Sequence, residues 1–479
     1  MDADNFQKLI INRFPFTPTQ DQLELIRGIS KFIFSDDKDE ILLLKGYAGT
    51  GKTTVISTVV NQLWLAKKKS ALLAPTGRAA KVIASYSKKK AFTIHRRIYK
   101  PKPSNDFGVQ FVKQNNTSAD TIFIVDEASM IPDTQVDGKM FAGGSLLDDF
   151  MEFVEGGQRC KIIFIGDEAQ LPPVHLDISP ALDASNLSLR YNKKVLEFQL
   201  KEVLRQDADS GILKNATTLR FNQENNYFDD FKFNLNNQAE VIRLTDGYDI
   251  ESAIDDCYRN EGINETTIIV RSNKRANLYN QQIRSQIRML ENEIATGDIL
   301  MVVKNNYFWL DPTSAPGFIA NGDTVEVLSI QSIHELYGFR FAEVEVQLVD
   351  YPNENPISTV IMLDTLTVDG PSLPYEDSNR LYHEVNKDYE GMSKGKRYKE
   401  VKNNKYFNAL QVKFAYAVTC HKSQGGQWDN VFIEQAWLPT GEIDKEYLRW
   451  LYTAVTRAKK KLYLIGFKDD YFEEDLFDD

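Results

Sequence analysis

The segment Gly46-Tyr47-Ala48-Gly49-Thr50-Gly51-Lys52-Thr53 has the spacing GxxxxGK[ST]. It follows an aliphatic run and opens a helix-like segment, which is the context that this pattern requires. The glycines let backbone N–H groups curl around phosphates, and the helix N-terminus adds positive potential. Gly46, Gly49 and Gly51 therefore read as a phosphate cradle, continued by Lys52, Thr53 and Thr54. Lys52 would reach the β- and γ-phosphates, and Thr53 would hold Mg²⁺. Asp126-Glu127 ends a second apolar run and supplies two carboxylates. Asp126 would hold the metal, and Glu127 would act as the general base on the attacking water. The chemistry is hydrolysis of a nucleoside triphosphate, with Mg²⁺ as its metal. Arg205 and Arg457 are candidates to reach the transferring phosphoryl group from a second unit.

These groups need a scaffold that brings loops together. Ile41–Leu44, Ala71–Ala74, Thr121–Val125 and Lys161–Ile165 are continuous apolar runs, each ending in a polar or glycine-rich turn. Runs of that kind suit strands buried on both faces of a parallel sheet, with ligands at the carboxyl ends. The first ~198 residues thus read as a doubly wound α/β unit. A second group, Thr267–Val270, Phe414–Val418, Val431–Ile433 and Leu462–Ile465, repeats the pattern. Between Gly297 and about Val412, alternating segments such as Thr324-Val325-Glu326-Val327 suggest short antiparallel strands, plausible as a small barrel.

The chain has 479 residues, 42% hydrophobic and 26% charged, with a formal charge of −11. The length suits about three domains. No apolar run reaches the ~18 residues of a membrane span, so no membrane partner is expected. Three scattered cysteines exclude a disulfide framework, and a cytoplasmic location is expected. The net charge argues against a protein that coats nucleic acid, but the charge is uneven. Lys67 to Lys102 holds twelve basic residues and no acid, a stretch that suits phosphate contacts. Asp469 to Asp479 holds seven acidic residues in eleven and reads as a solvated tail.

Taken in order, further segments resemble those of superfamily 1 helicases of the 5′-to-3′ group, the RecD and Dda type. Phe16-Thr17-Pro18-Thr19-Gln20 resembles the Q motif, which implies that Gln20 reads adenine. Ala74-Pro75-Thr76-Gly77-Arg78-Ala79-Ala80 matches motif Ia, and Thr93-Ile94-His95 resembles motif Ib. Gly166-Asp167-Glu168-Ala169-Gln170 opens motif III, implying that Gln170 senses the γ-phosphate. Leu200 to Gln206 resembles motif IV with Arg205 as its finger. Ala417 to Gly425 resembles motif V, with Gly425 assigned to the nucleotide, and Leu451 to Ala458 resembles motif VI with Arg457.

The resemblance implies an α/β fold of two RecA-like motor domains, each with an insertion. The first motor would span 1–92 and 120–198, and the second 199–297 and 413–468. A pin insertion would occupy 93–119, and an SH3-like β-barrel 298–412, followed by a tail from 469 to 479. Asn321-Gly322-Asp323 resembles a turn signature of that barrel. Phe111 occupies the place of the pin aromatic, or is a core residue of a small hairpin; Phe107 is the alternative tip. Thr76, Gly77, His95, Asn273, Thr419, His421 and Lys422 would contact single-stranded DNA. The implied activity is ATP-dependent 5′-to-3′ translocation and unwinding at a fork duplex, by a monomer. A RecD-like subunit or an RNA-directed helicase working in a complex is the alternative. Glu473 to Phe477 loosely resembles a clamp-binding peptide, which would give a replication protein as partner.

Overall fold

The computed structural model describes residues 1–104, 108–133, 144–174, 176–202, 210–229, 231–235, 239–311, 314, 316–438 and 442–473. In chain order, the first half contributes strands β1 (Glu40–Gly46), β2 (Lys69–Ala74), β3 (Ala91–Thr93), β4 (Tyr99–Ser104), β5 (Gly108–Lys113), β6 (Thr121–Val125), β7 (Lys161–Gly166) and β8 (Lys194–Leu200). Six of them form a parallel sheet in the order β3-β2-β6-β7-β1-β8. The period-2 geometry of a strand divides each apolar run between two cores. Leu42, Leu44, Ile163 and Ile165 face helices Ala3–Arg13, Gln20–Phe34 and Lys52–Gln62. Ile41, Leu43, Phe123 and Phe164 face helix Leu146–Glu155. This two-sided burial is why these strands read as unbroken apolar runs.

The second half supplies β9 (Val241–Leu244), β10 (Thr266–Val270), β11 (Ile299–Val302), β12 (Thr324–Leu336), β13 (Phe339–Leu348), β14 (Ile357–Met362), β15 (Leu410–Phe414), β16 (Ala417–Thr419), β17 (Trp428–Glu434) and β18 (Ala458–Ile465). A second parallel sheet has the order β16-β10-β17-β18-β9, and β11 to β15 close into a barrel. The fold is α/β, with two RecA-like sheets, a barrel interrupting the second, and the β4-β5 hairpin interrupting the first. In β12 and β13, Val325, Val327, Val344 and Val346 point inward between Glu326, Glu343 and Glu345. That alternation continues one core from the barrel into the second sheet, where Ile268, Phe432 and Tyr463 join it.

The apolar run Phe414–Val418 reads as one strand in the sequence but is two. Phe414 ends the barrel, and Ala417 begins an edge strand of the second sheet. Asn280 holds the corner: its Nδ2 donates to the carbonyls of Phe414 and Ala417, and its Oδ1 accepts from Ala417 N–H. Residues 351–408, which carry no motif that the sequence places, supply β14 and helices Tyr375–Lys387 and Lys394–Asn403, the two helices packing on the barrel. The second of them lies beside β5. Nor does the acidic end trail away at Asp469. Tyr471 and Phe472 are buried against Phe233 and Phe467, and Phe233 N–H donates to Tyr471 O. The clamp-like residues after Glu473 lie outside the described residues. No helix among the described residues is long and apolar enough to cross a membrane.

Asp298 is fully buried where the barrel meets the second sheet. It accepts from Arg284 Nε and Nη2, both at 2.9 Å, from the Tyr416 hydroxyl at 2.8 Å and from Ala295 N–H at 2.7 Å. Asp298→Ala leaves a buried guanidinium without its partner, a loss of about 3–5 kcal/mol. The expected outcome is a clearly lower urea midpoint, with Asp298→Asn in between.

Candidate nucleotide and nucleic-acid site

The strand order explains which loops meet. The phosphate loop follows β1, Asp126-Glu127 follows β6, and the Gly166–Gln170 loop follows β7; these are three adjacent strands, with β7 in the middle. Gly49 and Gly51 take positive φ, 75° and 79°, a conformation that favours glycine. A Cβ at Gly46 would lie 2.9 Å from the Lys52 stem. Lys52 Nζ donates to Gly46 O at 2.6 Å and Tyr47 O at 2.8 Å, tethering the loop to the helix that Lys52 begins. Lys52, Thr53 and Asp126 line one small cavity. Thr54 follows in the first helical turn.

Glu127 sits at φ 52°, and its N–H donates to Asp126 Oδ1. Burial, and then the neighbouring Glu127 charge, raise the Asp126 pKa above the usual carboxylate range. Such a carboxyl gains from a cation beside it. A hydroxyl and a carboxylate on one cavity wall are the hard oxygen donors that Mg²⁺ prefers. Gln170 is buried, and its Oε1 has no hydrogen-bond partner among the described residues.

A cleft of about 250 Å³ lies between the two sheets; its lining includes Tyr47, Asp167, Gln170, Arg220 and Arg449. Arg220 lies 4.2 Å over the Tyr47 ring, and the Tyr47 hydroxyl donates to Glu224. Sequence reasoning missed both tyrosines of this region, Tyr47 on the cleft wall and the buried Tyr452 that bonds Ala48 and Asp167, because a tyrosine inside a motif has no spacing rule of its own.

Several expected residues are placed differently from their assigned roles. Two T-x-x-Q frames overlap near the N-terminus, Thr17…Gln20 and Thr19…Gln22. The helix takes Thr19 as its N-cap and closes a capping box with Gln22. Gln22 is buried and donates to Thr50 O in the phosphate loop at 3.0 Å. Gln20 is exposed and bonds Glu24. The capping box is what turns Gln22, and not Gln20, toward the phosphate loop. Gly425, at φ 73°, packs against Thr76 and Ala79 of the first unit; a Cβ there would meet Ala79 Cβ at 2.9 Å. It serves close approach of the two units rather than the phosphate loop. Arg457 is buried within its own unit, with Nε donating to Thr453 O and Nη1 to Gly426 O. Arg205 lies outside the described residues.

The candidate strand contacts collect on a different edge. Thr76 and Gly77 follow β2 and His95 follows β3, which are neighbours with Ala74 opposite Thr93. Thr419 ends β16, opposite Val270 of β10, and Asn273 begins the helix after β10. Thr76 caps the helix Gly77–Ser87. Burial lowers His95 to about 4, so it is neutral. His421 is exposed. Burial and the Lys413 charge lower Lys422 to about 8, and among the described residues Lys422 has no ion-pair partner. Phe111 lies on β5 in register with Pro101, three positions from the Ser104–Gly108 pair. Phe107 lies outside the described residues.

Two RecA-like sheets facing across a cleft, with a phosphate loop and an acidic pair at one wall, define a P-loop NTPase of the motor class. Residues 19–234 match an AAA domain, and residues 414–465 match the UvrD-like helicase C-terminal domain. An uncharacterized protein of Methanocaldococcus jannaschii is 25% identical over 89% of this chain and 37% of its own length. The RecBCD enzyme subunit RecD of Buchnera aphidicola is 24% identical, covering 91% of this chain and 72% of that one. The ATP-dependent DNA helicase dda of phage T4 is 26% identical, covering 56% and 57%. The chain spans little more than a third of the archaeal relative. Its two halves thus match helicase-type domains, and the chain is similar to relatives of the RecD and Dda type.

The barrel meets the strand path at Gly77. A Cβ on Gly77 would lie 2.5 Å from Asp323 Oδ1. Burial raises Asp323 to about 7, opposed by the hydrogen bond from Ala320 N–H and aided by Asp350. A carboxyl whose folded pKa exceeds its unfolded value stabilises the fold at low pH, and that share is lost as pH rises through the folded pKa. Between pH 4 and about 7 the native state therefore sheds stability at this site. Asp323→Asn, which keeps the acceptor for Ala320, should melt higher than wild type at pH 8 and match it near pH 4.

Proposed function

We propose that the chain is an ATP-dependent DNA helicase that translocates 5′ to 3′ on single-stranded DNA and opens fork duplex with the β4-β5 hairpin. The observation that carries this reading is the division of the two sheets' carboxyl ends. Phosphate-site loops follow β1, β7 and β6, and the strand-contact loops follow the last two strands at one side of each sheet, β3 and β2 in the first and β16 and β10 in the second. The relatives that are named as helicases act on DNA by name, which supports DNA as the substrate. The motors are proposed as 1–92 with 120–198 and 199–297 with 413–468, acting as a monomer in the cytoplasm.

In this reading Lys52 and the loop amides bind the ATP phosphates, and Thr53 and Asp126 hold Mg²⁺, which neutralises phosphate charge. Glu127 takes the proton from the attacking water. Gln170 would donate its side-chain N–H to the γ-phosphate, leaving its free carbonyl to accept from the attacking water, and Arg205 and, once released from Thr453 O and Gly426 O, Arg457 of the second motor would complete the charge compensation. Thr76, Gly77, His95 and Phe111 grip or split the strand on one unit; Asn273, Thr419, His421 and Lys422 grip it on the other. The unpaired Lys422 ammonium suits a phosphate partner. Alternation of two grips, biased by the γ-phosphate, moves the chain along the strand.

The test is strand displacement on 5′-tailed, 3′-tailed and blunt duplexes, in DNA and RNA, with ATP and Mg²⁺. Unwinding of 5′-tailed DNA alone is expected. Unwinding only from 3′ tails would reverse the direction. Strand-stimulated hydrolysis with no displacement would favour a RecD-like subunit.

Lys52→Ala should lower strand-stimulated ATP hydrolysis by about a hundredfold or more while leaving single-strand binding intact. Retained hydrolysis, measured by phosphate release, would remove the basis of the phosphate assignment. Phe111→Ala should reduce unwinding strongly yet spare strand-stimulated hydrolysis. Base–aromatic stacking contributes about 1–3 kcal/mol per base, comparable to a DNA stacking step of ~1.4 kcal/mol. If hydrolysis, unwinding and melting temperature fall together, Phe111 is a core residue of the hairpin.

A further inference from the structure

The loop that carries Gln170 is held by side chains of the other motor. Tyr452, 1% exposed, donates its hydroxyl to Asp167 Oδ2 at 2.7 Å and accepts from Ala48 N–H at 3.0 Å. One oxygen thus joins the phosphate loop, the Gly166–Gln170 loop and helix Lys445–Val455. The next residue, Thr453, accepts Leu171 N–H on its hydroxyl at 2.8 Å. Gln424 Nε2 donates to Leu171 O at 2.7 Å. Asp167 Oδ1 accepts Ala169 N–H, so the carboxylate that Tyr452 holds also shapes the turn leading to Gln170.

Gln424 follows His421 and Lys422 by three and two residues, on the segment assigned to the strand. An unbroken covalent and hydrogen-bonded route therefore runs from the strand grip to Gln170, with Tyr452 and Thr453 as its second attachment. We propose that Tyr452 is a positioning residue that couples the strand grip to the nucleotide site, by fixing Ala48 and Asp167 relative to helix Lys445–Val455. The assignment rests on the helicase reading given above. Burial and the Asp167 charge keep the phenol protonated well beyond the usual tyrosine range, so it donates at every working pH. Of the loop amides, the hydroxyl engages Ala48 N–H alone.

The chemistry predicts a defect in linkage rather than in either affinity alone. Coupling between two ligands is reciprocal: the factor by which one changes the other's affinity is the same in both directions. The dissociation constant of a non-hydrolysable ATP analogue should be measured with and without oligothymidine, and that of oligothymidine with and without the analogue. Wild type should show a factor within the usual range of about 5–150, together with strand-stimulated hydrolysis. Tyr452→Phe keeps the ring and removes the hydroxyl; its factor should fall toward one while each ligand alone binds within about threefold of wild type. Thr453→Val should lower the factor in the same direction, and Thr453→Ser, which keeps the acceptor, should restore it. Equal factors in wild type and Tyr452→Phe would overturn the assignment and leave the helicase reading intact. A lower melting temperature with an unchanged factor would likewise overturn it, since that is the mark of a merely structural side chain. Absence of both linkage and stimulation in wild type would overturn the helicase reading, and the assignment with it.

Discussion

Everything in this molecule depends on two parallel sheets presenting their carboxyl ends to a shared cleft. Parallel strands need crossover connections, so the loop after each strand emerges on one side. The phosphate loop, the acidic pair and the Gln170 loop come from three neighbouring strands and cannot avoid one another. A polar loop at such a place needs partners for its backbone. Here they come from within the unit, as with Lys52 and Gln22, and from across the cleft, as with Tyr452. The second sheet thereby becomes part of the nucleotide site before any nucleotide is bound.

The cleft is held together by close approach as much as by hydrogen bonds. Gly425 brings the second unit onto Thr76 and Ala79, where any side chain would intrude. Arg78 lies 3.9 Å over the Trp428 ring, a desolvated cation on the best aromatic face. The same short segment, Thr76 to Ala79, is thus a strand-contact candidate and an interface element. Movement of one unit against the other must pass through it.

The insertions are built into this arrangement. The barrel shares its apolar interior with the second sheet, and its Asp323 turn seats on Gly77 of the first. Lys81 pairs with Asp350, and Arg96 donates to Ser314 O, adding two more ties between barrel and first unit. Helix Lys394–Asn403 reaches from the barrel to β5. The hairpin that stands at the fork in the proposed function is therefore braced from the opposite motor.

The apolar runs were legible in the sequence because they are buried on both faces, and burial of that kind leaves a continuous signature. The phosphate loop and acidic pair were legible because phosphate chemistry demands glycine, lysine and carboxylate at fixed spacing. The barrel announced itself through period-2 alternation. The break at Ala415-Tyr416 did not, since an apolar strand leaving a barrel and one entering a sheet carry the same residues. That Gln22 faces the phosphate loop while Gln20 bonds Glu24 at the surface was decided by the helix start, fixed by the Thr19 capping box. The ordering of Tyr471 and Phe472 was hidden by their acidic neighbours, whose charges describe the solvent side alone. Composition and spacing determined which chemistry this chain carries, since those follow from residue types along a line. Which residues serve it from across the cleft was decided by the tertiary structure, because hydrogen bonds such as those of Tyr452 join positions hundreds of residues apart that no local pattern links.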